Sequence, residues 1–292
     1  MRWLRRLAVL ITAVTLCGLF AQVASAQSST YAPLDRQGPA LSVPAATLAG
    51  ALHCTASVAR SGREPALLIP GTTLTPEVNF SWNYQRAFAA QGRPYCTVRL
   101  PNHAMSDIQV SAEYVVNAIS TMHARSHNRV QVVGFSQGGM IGRWGLRFWP
   151  DLRPMVDDLI GIDPSNHGTL DAYPICTVGC APSIWQQQSG SAFTRALNSG
   201  AETFAGISYT QVYTPTDEVV VPNLDPVASS ALHTGDGAIA NISTLRVCPI
   251  HVADHLSMGS FDPLAYAVVE DALTHAGPAR VNRISRSVCG KV

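Results

Sequence analysis

Hydrophobic residues in this chain fall into short runs separated by stretches with helical spacing. Ala66, Leu67, Leu68 and Ile69 form an apolar run closed by Pro70 and Gly71, which predicts a buried strand ending in a turn. Residues 95–100 predict a second strand. Residues 130–135, with β-branched Val130, Val132 and Val133, predict a third. Ala112, Val115, Val116, Ile119 and Met122 share one helical face, so 111–125 reads as an amphipathic helix. A second helix is predicted over 137–148, closed by Pro150. Residues 159–162, 207–213 and 245–252 predict three more strands, and 262–275 a last helix. Residues 27–60 read as irregular, with Pro33, Pro39 and Pro44 spaced as in a wrapping arm. Strands alternating with helices predict an α/β fold, a mostly parallel sheet with helices on both faces.

Composition supports this picture. The 292 residues are 47% hydrophobic and 13% charged, with a formal net charge of +1, whereas soluble domains are roughly 25% charged. Parallel strands buried on both sides read as plain apolar runs, which accounts for much of the deficit. Disorder needs low hydrophobicity and high net charge. A nucleic-acid partner calls for clustered basic charge. Neither is present, and no repeat is visible.

The first residues have a different character. Arg2, Arg5 and Arg6 precede an apolar run over 7–21, and Ala24, Ser25 and Ala26 follow with the small-x-small pattern of a cleavage site. Residues 1–26 are therefore expected to be a secretory signal peptide, leaving 27–292 as a single catalytic domain of a secreted, extracellular protein. The run is shorter than the roughly 20 residues a membrane-spanning helix needs. Loss of three arginines turns the formal +1 into −2. Cys17 leaves with the leader, and Cys54, Cys96, Cys176, Cys180, Cys248 and Cys289 remain. An even number in an exported chain predicts three disulfides, whose pairing spacing alone does not choose. Cys176 and Cys180, with Gly179 between them, would close a small local loop. Zinc is the weaker alternative, because little beyond His167 is nearby to complete a site.

Candidate chemistry begins at Gly134-Phe135-Ser136-Gln137-Gly138. A strand runs into this G-x-S-x-G pentapeptide and a helix leaves it, which places Ser136 on a tight turn with its hydroxyl above the sheet. A serine hydroxyl needs a base to act as a nucleophile, and in this architecture the chain order is serine, acid, histidine. Asp217 follows the predicted strand 207–213, and His255 follows the predicted strand 245–252. His255 would take the serine proton while Asp217 orients the ring. Glu218 and Asp225 are rival acids. His251 is a rival base, expected inside the strand. An oxyanion needs backbone donors. The amide of Gln137 is one, and Thr72, in the loop after the first strand, is the second, through its amide and its hydroxyl.

These residues resemble the Candida antarctica lipase B-like family of the α/β-hydrolase superfamily. The resemblance is carried by Leu68-Ile69-Pro70-Gly71-Thr72, by the run from Gln109 to Ile119, by Ser136-Gln137-Gly138-Gly139 with Trp144-Gly145-Leu146, by Pro182-Ser183-Ile184-Trp185-Gln186-Gln187, by Thr216-Asp217-Glu218-Val219-Val220 and by Asp254-His255, in the family's order. It implies an α/β-hydrolase fold and a triacylglycerol lipase or carboxylesterase. It carries catalytic roles onto Ser136, Asp217 and His255, and oxyanion roles onto Thr72 and Gln137. It also implies the disulfides Cys54–Cys96 and Cys248–Cys289. Three features depart from the family. Phe135 stands where the yeast lipase has a tryptophan shaping the alcohol pocket, so that pocket is expected to be reshaped. The loop after Thr72 is about one residue shorter. Cys176 and Cys180 have no counterpart in the segment that covers the family's site, and a bridge there is expected to stiffen the cover and leave little interfacial activation.

The expected substrate is a lipid or other carboxylic ester, including polyesters, with transient contact at a lipid or polymer interface. A monomer is expected, with no metal, no cofactor and no nucleic-acid partner. The rival reading is a non-catalytic ligand-binding protein on a hydrolase scaffold. An amidase is a weaker catalytic rival.

Overall fold

A computed structural model describes residues 31–291. The predicted leader lies outside the described residues. Seven strands form one sheet in the order β1-β3-β2-β4-β5-β6-β7. They are β1 (Leu52–Cys54), β2 (Ala66–Ile69), β3 (Tyr95–Val98), β4 (Val130–Phe135), β5 (Val156–Ile162), β6 (Ser208–Tyr213) and β7 (Ala238–Ser243). Strand β1 runs antiparallel to β3, and every other pairing is parallel.

Alternate residues of each central strand feed separate cores. Leu67, Ile69, Val130, Val132 and Leu159 pack with helices α1 (Ala45–Ala51), α2 (Ile108–Ser126) and α3 (Gln137–Phe148). Ala66, Leu68, Val133, Phe135, Ile160 and Ile162 pack on the other face with α6 (Pro263–Thr274). Both side-chain phases are buried, so β2 and β4 show no polar alternation. Two short helices, α4 (Ala172–Ile175) and α5 (His255–Ser260), lie in the connections beyond the strands' carboxyl ends. Among the described residues, no helix is long and apolar enough to cross a membrane.

Two expectations are corrected. Residues 27–60 are not all irregular, since α1 and β1 lie there. Three residues are too few to show a period. Strand β1 is held instead by its ladder to β3 and by the disulfide between the facing residues Cys54 and Cys96. The last strand is not 245–252 but Ala238–Ser243. In 245–252, Pro249 has no N–H to donate to a ladder. Ile250 and Val252 are 91% and 77% exposed, while Val247 and Cys248 turn inward, Cys248 to its disulfide with Cys289. The apolar letters there belong to a helical turn and a surface loop. Strand β7 is an edge strand with one exposed end, and its alanines, asparagine and serine hide it.

The amino ends of the central strands carry an acidic cluster. Glu64 precedes β2, Arg129 precedes β4, and Asp157 and Asp158 lie near the start of β5. Arg129 Nη1 is 2.6 Å from Asp157 Oδ1. Asp158 accepts a hydrogen bond from Gln131 Nε2 at 3.2 Å, and its other oxygen has no donor among the described residues. Burial, and secondarily Asp157, push Asp158 from 3.8 up to about 8. Burial and Asp157 also push Glu64 up to about 7. The unfolded chain ionises these groups first, so the fold loses stability as pH rises from about 4 to about 8. Asp158→Asn should melt at the wild-type temperature at about pH 3.5 and above it at about pH 9, a difference read by thermal melts at the two values.

Candidate active site

Ser136 sits between β4 and α3 with φ 53° and ψ −124°. A side chain is disfavoured at positive φ, and such strain persists only where the surroundings enforce it. Here they do. The Ser136 amide donates to the Ile162 carbonyl at 2.8 Å, and the Gly139 amide donates to the Ser136 carbonyl at 3.1 Å. A Cβ on Gly134 would stand 2.3 Å from the Gly139 amide nitrogen, and one on Gly138 would stand 2.3 Å from the Ile69 carbonyl oxygen. Only glycines let helix and strands approach this closely. The Ser136 hydroxyl has no hydrogen-bond partner among the described residues, and Ser136 lines a cavity of about 480 Å³.

His255 lines the same cavity, and Asp217 stands behind it. His255 is the first residue of α5, with Asp254 as the N-cap that accepts from the Ser257 amide at 2.9 Å. It is therefore a helix residue, not one placed by the end of a strand. Its Nδ1 lies 2.8 Å from Asp217 Oδ2. A carboxylate accepts only, so Nδ1 carries a proton, and in the neutral ring the lone pair is at Nε2. Asp217 follows β6. Its Oδ1 accepts from the Val219 and Val220 amides, both at 2.8 Å, and its Oδ2 also accepts from Asn223 Nδ2 at 3.2 Å.

The rivals have other partners. Glu218 accepts from the His255 amide at 3.0 Å, and Asp225 accepts from the Tyr213 hydroxyl. His251 is buried outside any strand, with Nε2 2.7 Å from Asp262 Oδ2. His167 is engaged at both ring nitrogens, by Glu202 at 2.6 Å and the Ser229 carbonyl at 2.9 Å. Cys176 and Cys180 are joined as a disulfide.

The oxyanion candidates are linked to each other. Gln137 Nε2 donates to Thr72 Oγ1 at 2.9 Å, and Gln187 Nε2 does so at 3.1 Å. The Ala104 and Ser183 carbonyls accept from the same two amide nitrogens, at 3.0 and 3.2 Å, which fixes both amides with N–H toward Thr72. A hydroxyl has two acceptor sites and one donor. With both acceptor sites filled, Thr72 has only its proton to offer, and Thr72 lines the cavity. Gln137 opens α3, so its amide has no acceptor within the helix. Sequence reasoning missed Gln187, Asn223 and Asp163, although Asp163 directly follows an apolar strand and Asp217 lies in the loop after one.

No protein-family model matches the chain. Over 249 residues, 83% of this chain and 71% of the relative, it is 36% identical to Lipase B of Pseudozyma (Candida) antarctica. The chain belongs to the lipase B-like family. Aspergillus fumigatus lipase B superposes with a TM-score of 0.80 at 31% identity over 87% of this chain. This chain spans 63% of that protein's length. Bacillus licheniformis lipase BlEst2 in its mature form, with a TM-score of 0.54 at 14% identity over 73% of this chain and 93% of its own, shares the fold alone. The sheet and its helices are thus an α/β-hydrolase fold.

Phe135 shapes the site in this member of the lipase B-like family. Its ring lies 4.8 Å from the His255 ring, centroid to centroid, and a Cβ on Gly259 would stand 2.4 Å from its ring carbons. Gly259→Ala should therefore push Phe135 against His255. We expect it to lower stability by about 1–3 kcal/mol, as overpacking does, and to lower kcat/KM, both measurable by thermal melts and ester kinetics.

Proposed function

We propose that this protein is a secreted serine hydrolase of carboxylic esters, a lipase or carboxylesterase acting on uncharged acyl esters. The observation that carries the reading is that His255, bonded to Asp217, lines the same cavity as the free hydroxyl of Ser136. His255 Nε2 takes the Ser136 proton as Oγ attacks the carbonyl carbon. The Gln137 amide and the Thr72 hydroxyl donate to the developing oxyanion. His255 returns the proton to the leaving alcohol, and water then releases the acid from the acyl-serine by the same steps in reverse.

The cavity mouth supports an uncharged substrate. Ile175, Val219 and Leu256 line it and are 53%, 42% and 57% exposed. No lysine or arginine occurs in residues 70–84, 163–190, 214–236 or 248–262, so the segments around the mouth offer no cation to an anionic headgroup. The leader pattern and the three disulfides support export.

Ser136→Ala should cut kcat by about four orders of magnitude or more on a soluble ester, and hydrolysis surviving in that variant would sink the reading. Thr72→Val, which keeps the backbone amide, should cost about a hundredfold in kcat, with Thr72→Ser restoring most of it. The Cys176–Cys180 bridge closes the loop directly after α4, whose Ala172 and Ile175 line the cavity. Activity should therefore rise smoothly as an ester passes its solubility limit, and a sharp jump in a titration across that limit would contradict a stiffened cover.

A further inference from the structure

Asp163 directly follows β5 and is fully buried. Its backbone is strained, with φ 41°. Its Oδ1 accepts from the Thr214 amide at 2.8 Å and from Asn223 Nδ2 at 3.0 Å. Its Oδ2 is buried without a hydrogen-bond donor among the described residues. One oxygen of Asp163, one of Asp217 and a ring nitrogen of His255 lie within 4.8 Å of one another. Asn223 Nδ2 donates to both carboxyl groups and bridges them.

Two buried carboxyl groups this close do not readily ionise together, so one of them keeps a proton. The number of donors decides which group carries it. Asp217 receives N–H donors from Val219, Val220, Asn223 and His255, which stabilise its charge. Asp163 receives only those from Thr214 and Asn223, and keeps one oxygen free for a proton. Burial, with Asp217 beside it, holds the Asp163 carboxyl well above the usual carboxylate range. A cation shared by the three groups would need a lone pair at His255 Nδ1, which instead donates to Asp217.

We propose that Asp163 is a positioning residue of the hydrolytic site, a neutral acid that donates a hydrogen bond to the Asp217 carboxylate and holds it against the His255 ring. It does not line the cavity and acts only through Asp217. The proposal rests on the serine-hydrolase reading above.

The test measures kcat and KM on a soluble short-chain ester across pH for Asp163→Asn and Asp163→Ala. The low-field proton resonance of His255 Nδ1 is followed in the same variants. Asparagine mimics the neutral acid, because its carbonyl keeps the Thr214 and Asn223 bonds and its amide donates to Asp217. Asp163→Asn should stay within about threefold of wild-type kcat with the same pH profile, while Asp163→Ala should lose about tenfold or more in kcat at unchanged KM, the effect of losing a hydrogen bond to a charged group. The resonance should persist in Asp163→Asn and shift or vanish in Asp163→Ala.

A fall in Asp163→Asn as large as in Asp163→Ala overturns the proposal, since a charged carboxylate would then be required. Wild-type kcat and resonance in Asp163→Ala overturn it as well. If the alanine variant does not fold, the asparagine variant decides alone. Recording the resonance in Ser136→Ala separates the two readings: hydrolysis surviving there defeats the enzyme assignment, while the resonance still reports on the contact between Asp163 and Asp217.

Discussion

Parallel pairing is the constraint from which the rest of this molecule follows. In a parallel sheet every strand ends on the same side, and each connection must cross back over a face before the next strand begins. Strands β2, β4, β5 and β6 accordingly deliver Pro70-Gly71-Thr72, Ser136, Asp163 and Thr214 to one edge. Residues distant in sequence meet there without any loop having to reach far. Both faces of these strands are buried, so the edge is rigid. That rigidity permits a backbone as strained as that of Ser136, because the glycine-lined contact of α3 against β2 and β4 leaves the turn no room to relax.

The sequence made the centre of this arrangement legible and its margins illegible, for a physical reason. Strands buried on both faces are written as unbroken apolar runs, and β2 and β4 were read from them directly. Ser136 was legible because a glycine pentapeptide between such a run and a helix has few other uses. Edge strands carry no such signature. Strand β1 is three residues long, and β7 is half exposed. The segment 245–252 carried apolar letters for other reasons: a disulfide partner, a helical turn and an exposed loop. No strand therefore delivers His255. What positions it is the cap at Asp254 and the bonds it donates to Asp217 and Glu218.

Polar pairings were the least legible part. That Gln137 and Gln187 both fill the acceptor sites of Thr72 depends on Ala104 and Ser183 carbonyls lying in range of the same two amides. No spacing rule encodes a contact between residues 65 or 115 positions apart. Such networks are all-or-none, since a buried amide or hydroxyl left unpaired costs roughly 1–3 kcal/mol. Their presence around Thr72 and Asp217, and not around the rival acids, separates the site from the acidic residues that only sit near it.

The two ends of the sheet show the same electrostatics with opposite outcomes. At the amino ends, Asp158 has one side-chain donor and a neighbouring acid, so burial wins and its carboxyl holds a proton to about 8. At the carboxyl ends, Asp163 and Asp217 are just as crowded, but the donors are distributed unequally between them. The tight turn after β6 points the Val219 and Val220 amides at Asp217, which also receives Asn223 Nδ2 and the His255 ring. The donors that the fold supplies, and not the residue type, set the two aspartates apart. An acid's place in the sheet therefore says where it is, while the turn that follows it says what it can do.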